Sequence, residues 1–396
     1  MHSTVARVGP ARFQSAHPEL DFLLARVAED VQLSPTQHEK AVTHYTAVGE
    51  WLAARGSPLA VARPPRLFPQ GSMALGTTTS PWGRVEYDVD LVCEVTGGHW
   101  TAETLFDAMY ARLRDNGKFA PLLTPSKPCA RLNYRGDFHL DIIPAVRDVT
   151  GTTHPWVPEY VATGVLVPTP DLKTWAPSNP EGFIKWFMSR AVTVRRDWLV
   201  KAKLEPLPEQ MEAEDKAPLA VAVQLLKRAR DVAFNGTAIA PRSIVLTTLA
   251  GQHYAGGESV TEIMQSVLRG IRADIQAGGG SIIRVLNPTN LAEDFADSMT
   301  KGGQDALDRF AQNVDAKLAE LQQPGIGIPR LKKELEELFG EDAVGVAAVE
   351  SALRKLAERH KGSRDAGTLT YSPSAGLAVV QPTGPRRAPR NTNYGD

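Results

Sequence analysis

Cysteine is nearly absent: Cys93 and Cys129 are the only two in 396 residues, too few for a disulfide framework and without the paired spacing of a zinc site. A structural zinc module is therefore excluded. Charge of one sign is missing too, because 44 Lys and Arg stand against 45 Asp and Glu, for a net charge of -1. A near-neutral surface has no global positive field with which to grip long nucleic acid, so any such contact must be local. No apolar run reaches the roughly 18 residues that a membrane span requires, and the opening MHSTVARVGPARFQ lacks the apolar stretch of a secretion signal. These absences predict a cytoplasmic protein without a membrane partner. At 42% hydrophobic and 22% charged residues, the composition is that of an ordinary globular chain with enough apolar material for a sizeable core.

The first 170 residues alternate between helical and extended patterns. Ser34 with Gln37 three residues on is a capping box, Pro35 suits the first turn, and Tyr45, Val48 and Leu52 form one apolar stripe, predicting a helix from Ser34 to Gly56. A second helix is expected from Thr101 to Asn116. Between them Val85, Tyr87, Val89, Leu91, Cys93 and Val95 alternate with Glu86, Asp88, Asp90, Val92 and Glu94, the period of a strand with one apolar face. Cys93 on that face reads as a small buried hydrophobe rather than a reactive thiol. Asp137 to Ile143 repeats the alternation, and Pro144 is expected to close it. Beyond about residue 180 helices dominate: one capped by Asn179, one from Ala217 to Phe234, one through Leu307 to Leu321 ending at Pro324-Gly325, and one from Asp342 to about His360. Residues 363–396, rich in Pro and Arg, show no sustained period and read as a tail or docked arm. The expected division is thus 1–170, 171–362 and 363–396.

The chemistry lies in the carboxylates. Asp88 and Asp90 are two apart on a strand, so both side chains leave the same face with Cα atoms about 6.6 Å apart. Asp141 sits on the polar face of the next extended run and completes a set of three if the two strands are neighbours. Carboxylate oxygens are the ligands Mg²⁺ prefers, and two such ions can activate an attacking hydroxyl and stabilise a leaving pyrophosphate. Upstream, Gln70-Gly71-Ser72 opens a short segment in which glycine permits close backbone approach and serine offers a hydroxyl to phosphate. His139 shares the face of Asp141 and reads as a packed or supporting histidine. Trp82 and Trp175, in turn-rich segments, are candidates to stack on a base, whereas Tyr87 belongs to the apolar face.

A Gly-Ser turn, then Asp-Val-Asp on a strand, then a lone Asp on a later strand resembles the polymerase β-like nucleotidyltransferase superfamily. QGSMALGTTTSP, EYDVDLVCEV, FHLDIIPAV, SNPEGFIKWF, LLKRARD, RSIVLTTLAG and LNPTNLAEDFAD narrow the resemblance to the cGAS/DncV-like nucleotidyltransferases (CD-NTases), over about residues 30 to 360. The resemblance implies an α+β fold of two lobes, a mixed-sheet catalytic lobe and a helical lobe. It implies a bacterial antiphage-signalling enzyme that condenses nucleoside triphosphates, purines foremost, into a cyclic oligonucleotide, a cyclic dinucleotide in the first instance. It makes Asp88, Asp90 and Asp141 the catalytic residues and ligands of two Mg²⁺ ions, with Mn²⁺ as a substitute. Gln70, Gly71, Ser72, Lys227 and Ser243 become the nucleotide-binding residues. Two of these have plainer readings: Lys227 beside Arg228 and Arg230 also suits a solvated basic helix face, and Ser243 a simple helix cap. The implied partners are a cyclic-nucleotide-activated effector and regulatory proteins. A DNA activator is not expected, since the zinc insertion of the animal DNA sensor and a net positive charge are both missing; separately, the glycine by which some bacterial relatives are conjugated to other molecules is here followed by Asp396, a departure from the pattern that conjugation uses. The competing readings are an enzyme making linear oligonucleotides or RNA tails, and a non-catalytic nucleotide-binding module.

Overall fold

The computed structural model describes residues 17–82, 86–134, 136–149, 162–191, 216–235, 237–323, 326 and 328–345, isolated positions from 349 to 358, and two strands near residues 369–379. The chain opens with α1 (Pro18–Asp30) and α2 (Pro35–Ala53), the latter closed at its start by the predicted Ser34/Gln37 capping box. A mixed sheet follows: β1 (Arg66–Pro69), β2 (Tyr87–Val95), β3 (Leu123–Ser126), β4 (Cys129–Tyr134) and β5 (Phe138–Arg147) lie in the order β1-β2-β5-β4-β3. A four-residue helix, α3 (Gly71–Ala74), leaves the end of β1, and α4 (Ala102–Arg114) follows β2. The alternation in the sequence explains the layering, since Tyr87, Val89, Leu91, Phe138, Leu140 and Ile142 are all buried against α2 and α4.

β2 and β5 are parallel neighbours, with Asp88 opposite His139 and Asp90 opposite Asp141. β4 is antiparallel to β5 and sets Arg131 opposite Asp141. One face of three adjacent strands therefore carries the row Asp90, Asp141, Arg131. Pro144 does not close β5, which continues to Arg147. Pairing with β4 ends at Ile142 and pairing with β6 (Val165–Pro168) begins at Val146, so at residue 144 one side of β5 is free and the missing N–H costs no ladder bond. β7 (Trp175–Ser178) pairs with β6, which places the expected boundary near residue 170 inside the sheet.

The second core is helical: α5 (Pro180–Arg190), α6 (Pro218–Phe234), α7 (Ser243–His253), α8 (Val260–Ala277), α9 (Lys301–Leu321), α10 (Ile328–Phe339) and α11 (Glu341–Val344). α1 joins this core, not the sheet, because its stripe of Leu20, Leu23, Leu24 and Val27 packs on α6 and α8. Asp21 fixes it there by accepting from the Thr261 backbone N–H and hydroxyl at 2.8 and 2.6 Å. Of the helix expected from Asp342 to about His360, a first piece is capped by Gly340, at φ 92°, and ends at Val344 as α11, and the positions described beyond it, 349, 351, 354 and 358, are helical, while the rest of residues 346–360 lie outside those described. LNPTNLAEDFAD supplies an antiparallel hairpin, β8 (Leu286–Asn287) with β9 (Asn290–Asp294). In the stretch read as a tail, β10 (Leu369–Ser372) and β11 (Gly376–Val379) form a second hairpin, with the apolar residues 377–379 in β11, and the remaining positions lie outside the description.

Two polar links join sheet and helices. Glu94, 1% exposed, accepts from Arg66 and Arg147, and Arg66 reaches on to Glu181 of α5. Buried Asn179 caps α5 and donates to the Thr289 carbonyl, while Asn290 donates to that of Pro177.

Candidate functional site

Gly71 turns the chain from β1 into α3 at φ 61°, and a Cβ there would run into the Asp90 carboxylate. Glycine is thus required twice, by the backbone conformation and by the closeness of turn and carboxylate. The turn is held by Gln70, whose N–H donates to the Asp90 carbonyl at 2.9 Å, and by Thr77, whose N–H donates to the Ser72 carbonyl at 2.9 Å. The Thr78 hydroxyl donates to that of Ser72 at 3.1 Å, leaving the Ser72 proton directed elsewhere.

Asp88 and Asp90 line a cleft of about 230 Å³ with Gly71, Ser72, Lys227 and Ser243. Burial, reinforced by Asp88 and Asp141, pushes the Asp90 carboxyl up to about 7. Asp88 is raised as well, by burial and by Asp141, against the pull of Arg131 and His139. His139 lies between two carboxylates, Nε2 2.8 Å from Glu86 and Nδ1 3.4 Å from Asp88. Asp141 is held differently. Arg131 donates to both its oxygens, Nε to Oδ1 at 2.7 Å and Nη2 to Oδ2 at 2.6 Å, and Asp141 does not line the cleft. In consequence no three acidic, histidine or cysteine side chains are gathered as a ready metal cage among the described residues. The chemistry of the donors still suits a hard cation, because Asp88 and Asp90 present clustered negative charge without a neighbouring cation that contacts them both.

Lys227 is 4% exposed, so the solvated-face reading fails. Its Nζ donates to the Thr77 carbonyl at 2.8 Å, and burial, with the nearby Arg230 charge, lowers it to about 8. Ser243 is the first residue of α7 and not its cap. Its hydroxyl accepts from Arg230 Nη1 at 2.6 Å. Among the expected nucleotide-binding residues only Gln70 lies off the cleft wall, serving the turn through its backbone. Trp82 lines the cleft, whereas Trp175 sits in β7 and packs on the sheet core, correcting its expected place. Tyr87 touches the cleft but is 5% exposed and stacked on Phe138 at 5.1 Å, in keeping with its place in the core. The sequence reading missed Arg131, Arg230 and Asp231. Arg131 was legible only as a basic residue alternating on a strand, and its register with Asp141 is a tertiary fact.

Residues 65–144 match the family described as cyclic GMP-AMP synthase DncV-like, nucleotidyltransferase domain. A c-di-GMP synthase of Roseivirga ehrenbergii is 32% identical over 289 residues, 72% of this chain and 74% of that protein. The cyclic dinucleotide synthase CdnG of Bradyrhizobium diazoefficiens is 29% identical over 95% of each chain. The solved complex of CdnG with GTP aligns with a TM-score of 0.66 over 84% of this chain and 98% of that one. Escherichia coli CdnC with ATP shares the fold at 14% identity, with a TM-score of 0.57 over 81% and 98% of the two chains. The turn, the strand-borne aspartates and the helical wall opposite them thus accompany kinship along most of the sequence, and the chain belongs to the cGAS/DncV-like nucleotidyltransferases, the CD-NTases.

Proposed function

We propose that this enzyme joins two nucleoside triphosphates, GTP foremost, into a cyclic dinucleotide and releases pyrophosphate at each of two steps. The observation that carries the reading is one cleft lined by Gly71, Ser72, Asp88 and Asp90 together with Lys227 and Ser243 of the helical core. The relatives named c-di-GMP synthase and CdnG support guanine as a substrate base. In this reading a ribose hydroxyl of one nucleotide attacks the α-phosphate of the other, and the same cleft then closes the ring. Ser72, Lys227 and Ser243 hold the triphosphate, the lysine as a buried point charge whose worth rises in a dry site. Asp88 and Asp90, with Asp141 beside them on the neighbouring strand, would hold two Mg²⁺ or Mn²⁺ ions, which when bound would supply Lewis-acid stabilisation of the reacting phosphate. His139 keeps Asp88 oriented toward the cleft. The product serves as a second messenger for a cyclic-nucleotide-activated effector in antiphage defence, with regulatory proteins as further partners.

Incubation with radiolabelled ATP, GTP, CTP and UTP, singly and together, with Mg²⁺ or Mn²⁺, tests the reading. A phosphatase-resistant product from GTP, alone or with a second nucleotide, is expected. A phosphatase-sensitive ladder would establish a linear polymer maker instead, and nucleotide binding without any product a non-catalytic module.

A further inference from the structure

The largest fully buried side chain in the described structure is a charged one, Arg228 of α6. Burying a guanidinium costs several kcal/mol unless its donors are satisfied, and here they are spent on two separate segments. Nε donates to the Phe339 carbonyl at 2.9 Å and Nη2 pairs closely with Asp342, both at the corner between α10 and α11. Nη1 donates to the Ser80 carbonyl at 3.3 Å, in the loop that descends from the Gly71-Ser72 turn. The guanidinium plane also covers the indole of Trp82, with Cζ 4.6 Å from the ring centroid. Gly340, at φ 92°, borders the edge of the same indole so closely that a Cβ would collide with it. Trp82 is therefore clamped by Arg228 on one face and by the α10–α11 corner at its edge, yet it lines the cleft, which Arg228 does not.

Resting on the reading of the cleft as a nucleotide site, we propose that Trp82 is the surface on which a purine base stacks, and that Arg228 and the Phe339–Asp342 corner position it. An aromatic ring already immobilised gives up little entropy when a base lands on it. A cation on its far face draws π density away and favours stacking by an electron-rich purine on the near face. Neighbouring residues of α6 point about 100° apart, so one helix sends Lys227 to the phosphates and Arg228 behind the base platform. A pyrimidine covers less of the indole and binds less tightly.

Calorimetric titration of the full chain, with GTP bearing a methylene bridge between the α- and β-phosphates and separately with inorganic tripolyphosphate, separates base from phosphate binding. Trp82→Leu should weaken the GTP analogue about ten- to hundredfold, the worth of one stacked base, and leave tripolyphosphate unchanged. Trp82→Phe should restore most of the loss. Arg228→Lys, which keeps the charge without the planar fork, should weaken the analogue alone by a smaller factor, and where it fails to fold Asp342→Ala carries the same test. Equal loss of both ligands in Trp82→Leu would reduce the indole to a packing role and overturn the proposal, as would full retention of the analogue. If the wild-type chain bound tripolyphosphate but no nucleoside triphosphate, base stacking would fall while the phosphate wall stood. Failure to bind either ligand would overturn the cleft assignment and this proposal together.

Discussion

Replacing Lys227 with Met should raise the stability of the free enzyme while removing most of its stabilisation by nucleotide. The amine is buried and lowered to about 8 from the ordinary 10.5. A lysine whose folded pKa is depressed burdens the fold wherever both states are protonated, so the cost is full below pH 8 and gone above about 10.5. The difference corresponds to about 3 kcal/mol. Against it stands the bond from Nζ to the Thr77 carbonyl, whose loss leaves that acceptor unpaired at a cost of about 1–2 kcal/mol. Methionine fills a similar volume, so a net gain of about 1–2 kcal/mol at pH 7 is expected, or a few degrees in melting temperature. Nucleotide reverses the sign. At a hundred times its dissociation constant a ligand stabilises by about 2.7 kcal/mol, and a hundredfold loss of affinity would cut that to about 0.4 kcal/mol. Thermal unfolding at pH 7 and pH 10, with and without a non-reacting GTP analogue, measures both effects. A variant that melts lower than wild type at pH 7, a gain that persists unchanged at pH 10, or an undiminished nucleotide shift would refute the reasoning.

The double substitution Asp88→Asn with Asp90→Asn should abolish product and leave the melting temperature unchanged or raised, since it removes mutually repelling carboxylates; retained synthesis in a radiolabel assay would sink their role. Gly71→Ala should cost about 1–2 kcal/mol through its left-handed backbone and suppress turnover more than that loss explains, because the new methyl displaces Asp90; kcat measured beside chemical denaturation decides. Asp30, raised to about 6 chiefly by burial and by Glu29, keeps Oδ2 buried without a partner among the described residues. Its ionised form burdens the fold above pH 6 and not below 3.8, so Asp30→Asn should stabilise at pH 7 by about 1 kcal/mol, after discounting a partly exposed group, and by nothing near pH 3.5; a pH-independent gain would contradict this. Deleting residues 386–396 should leave synthesis intact, whereas deleting everything after Ser363 removes the β10–β11 hairpin and should lower soluble yield, both read from expression and activity of the truncated chains.

How much was legible in the sequence depended on whether a feature was local. The Ser34/Gln37 box, the Asn179 cap and the alternation through β2 are one-dimensional signals, and each reappears in the structure within a few residues. Pro144 misled because its effect depends on whether β5 has a neighbour on both sides at that point, which the sequence of β5 does not contain. α1 could not be assigned to a lobe for the same reason, since an apolar stripe shows that a helix packs without showing on what.

The site follows the same rule and shows where it bears on chemistry. Asp88 and Asp90 were readable because a strand's period alone puts them on one face, and Asp141 because its own run alternates. What turns three carboxylates into a poised site is their charge balance, and that is set by partners remote in sequence. Arg131 meets Asp141 only because β4 folds back on β5 in one register; a slip of one residue would point the guanidinium into the apolar core. That pairing keeps Asp141 satisfied while Asp88 and Asp90 face the cleft, so negative charge accumulates on the cleft side. Lys227 lies 137 residues beyond Asp90, and its burial comes from α6 crossing the loop at Thr77. A triphosphate alone would meet two repelling carboxylates, and a cation alone would find Asp141 occupied by Arg131. On the reading proposed for the cleft, this arrangement would favour the two arriving as one partly neutralised unit, with Lys227 meeting the phosphate end and Asp88 and Asp90 the metal end.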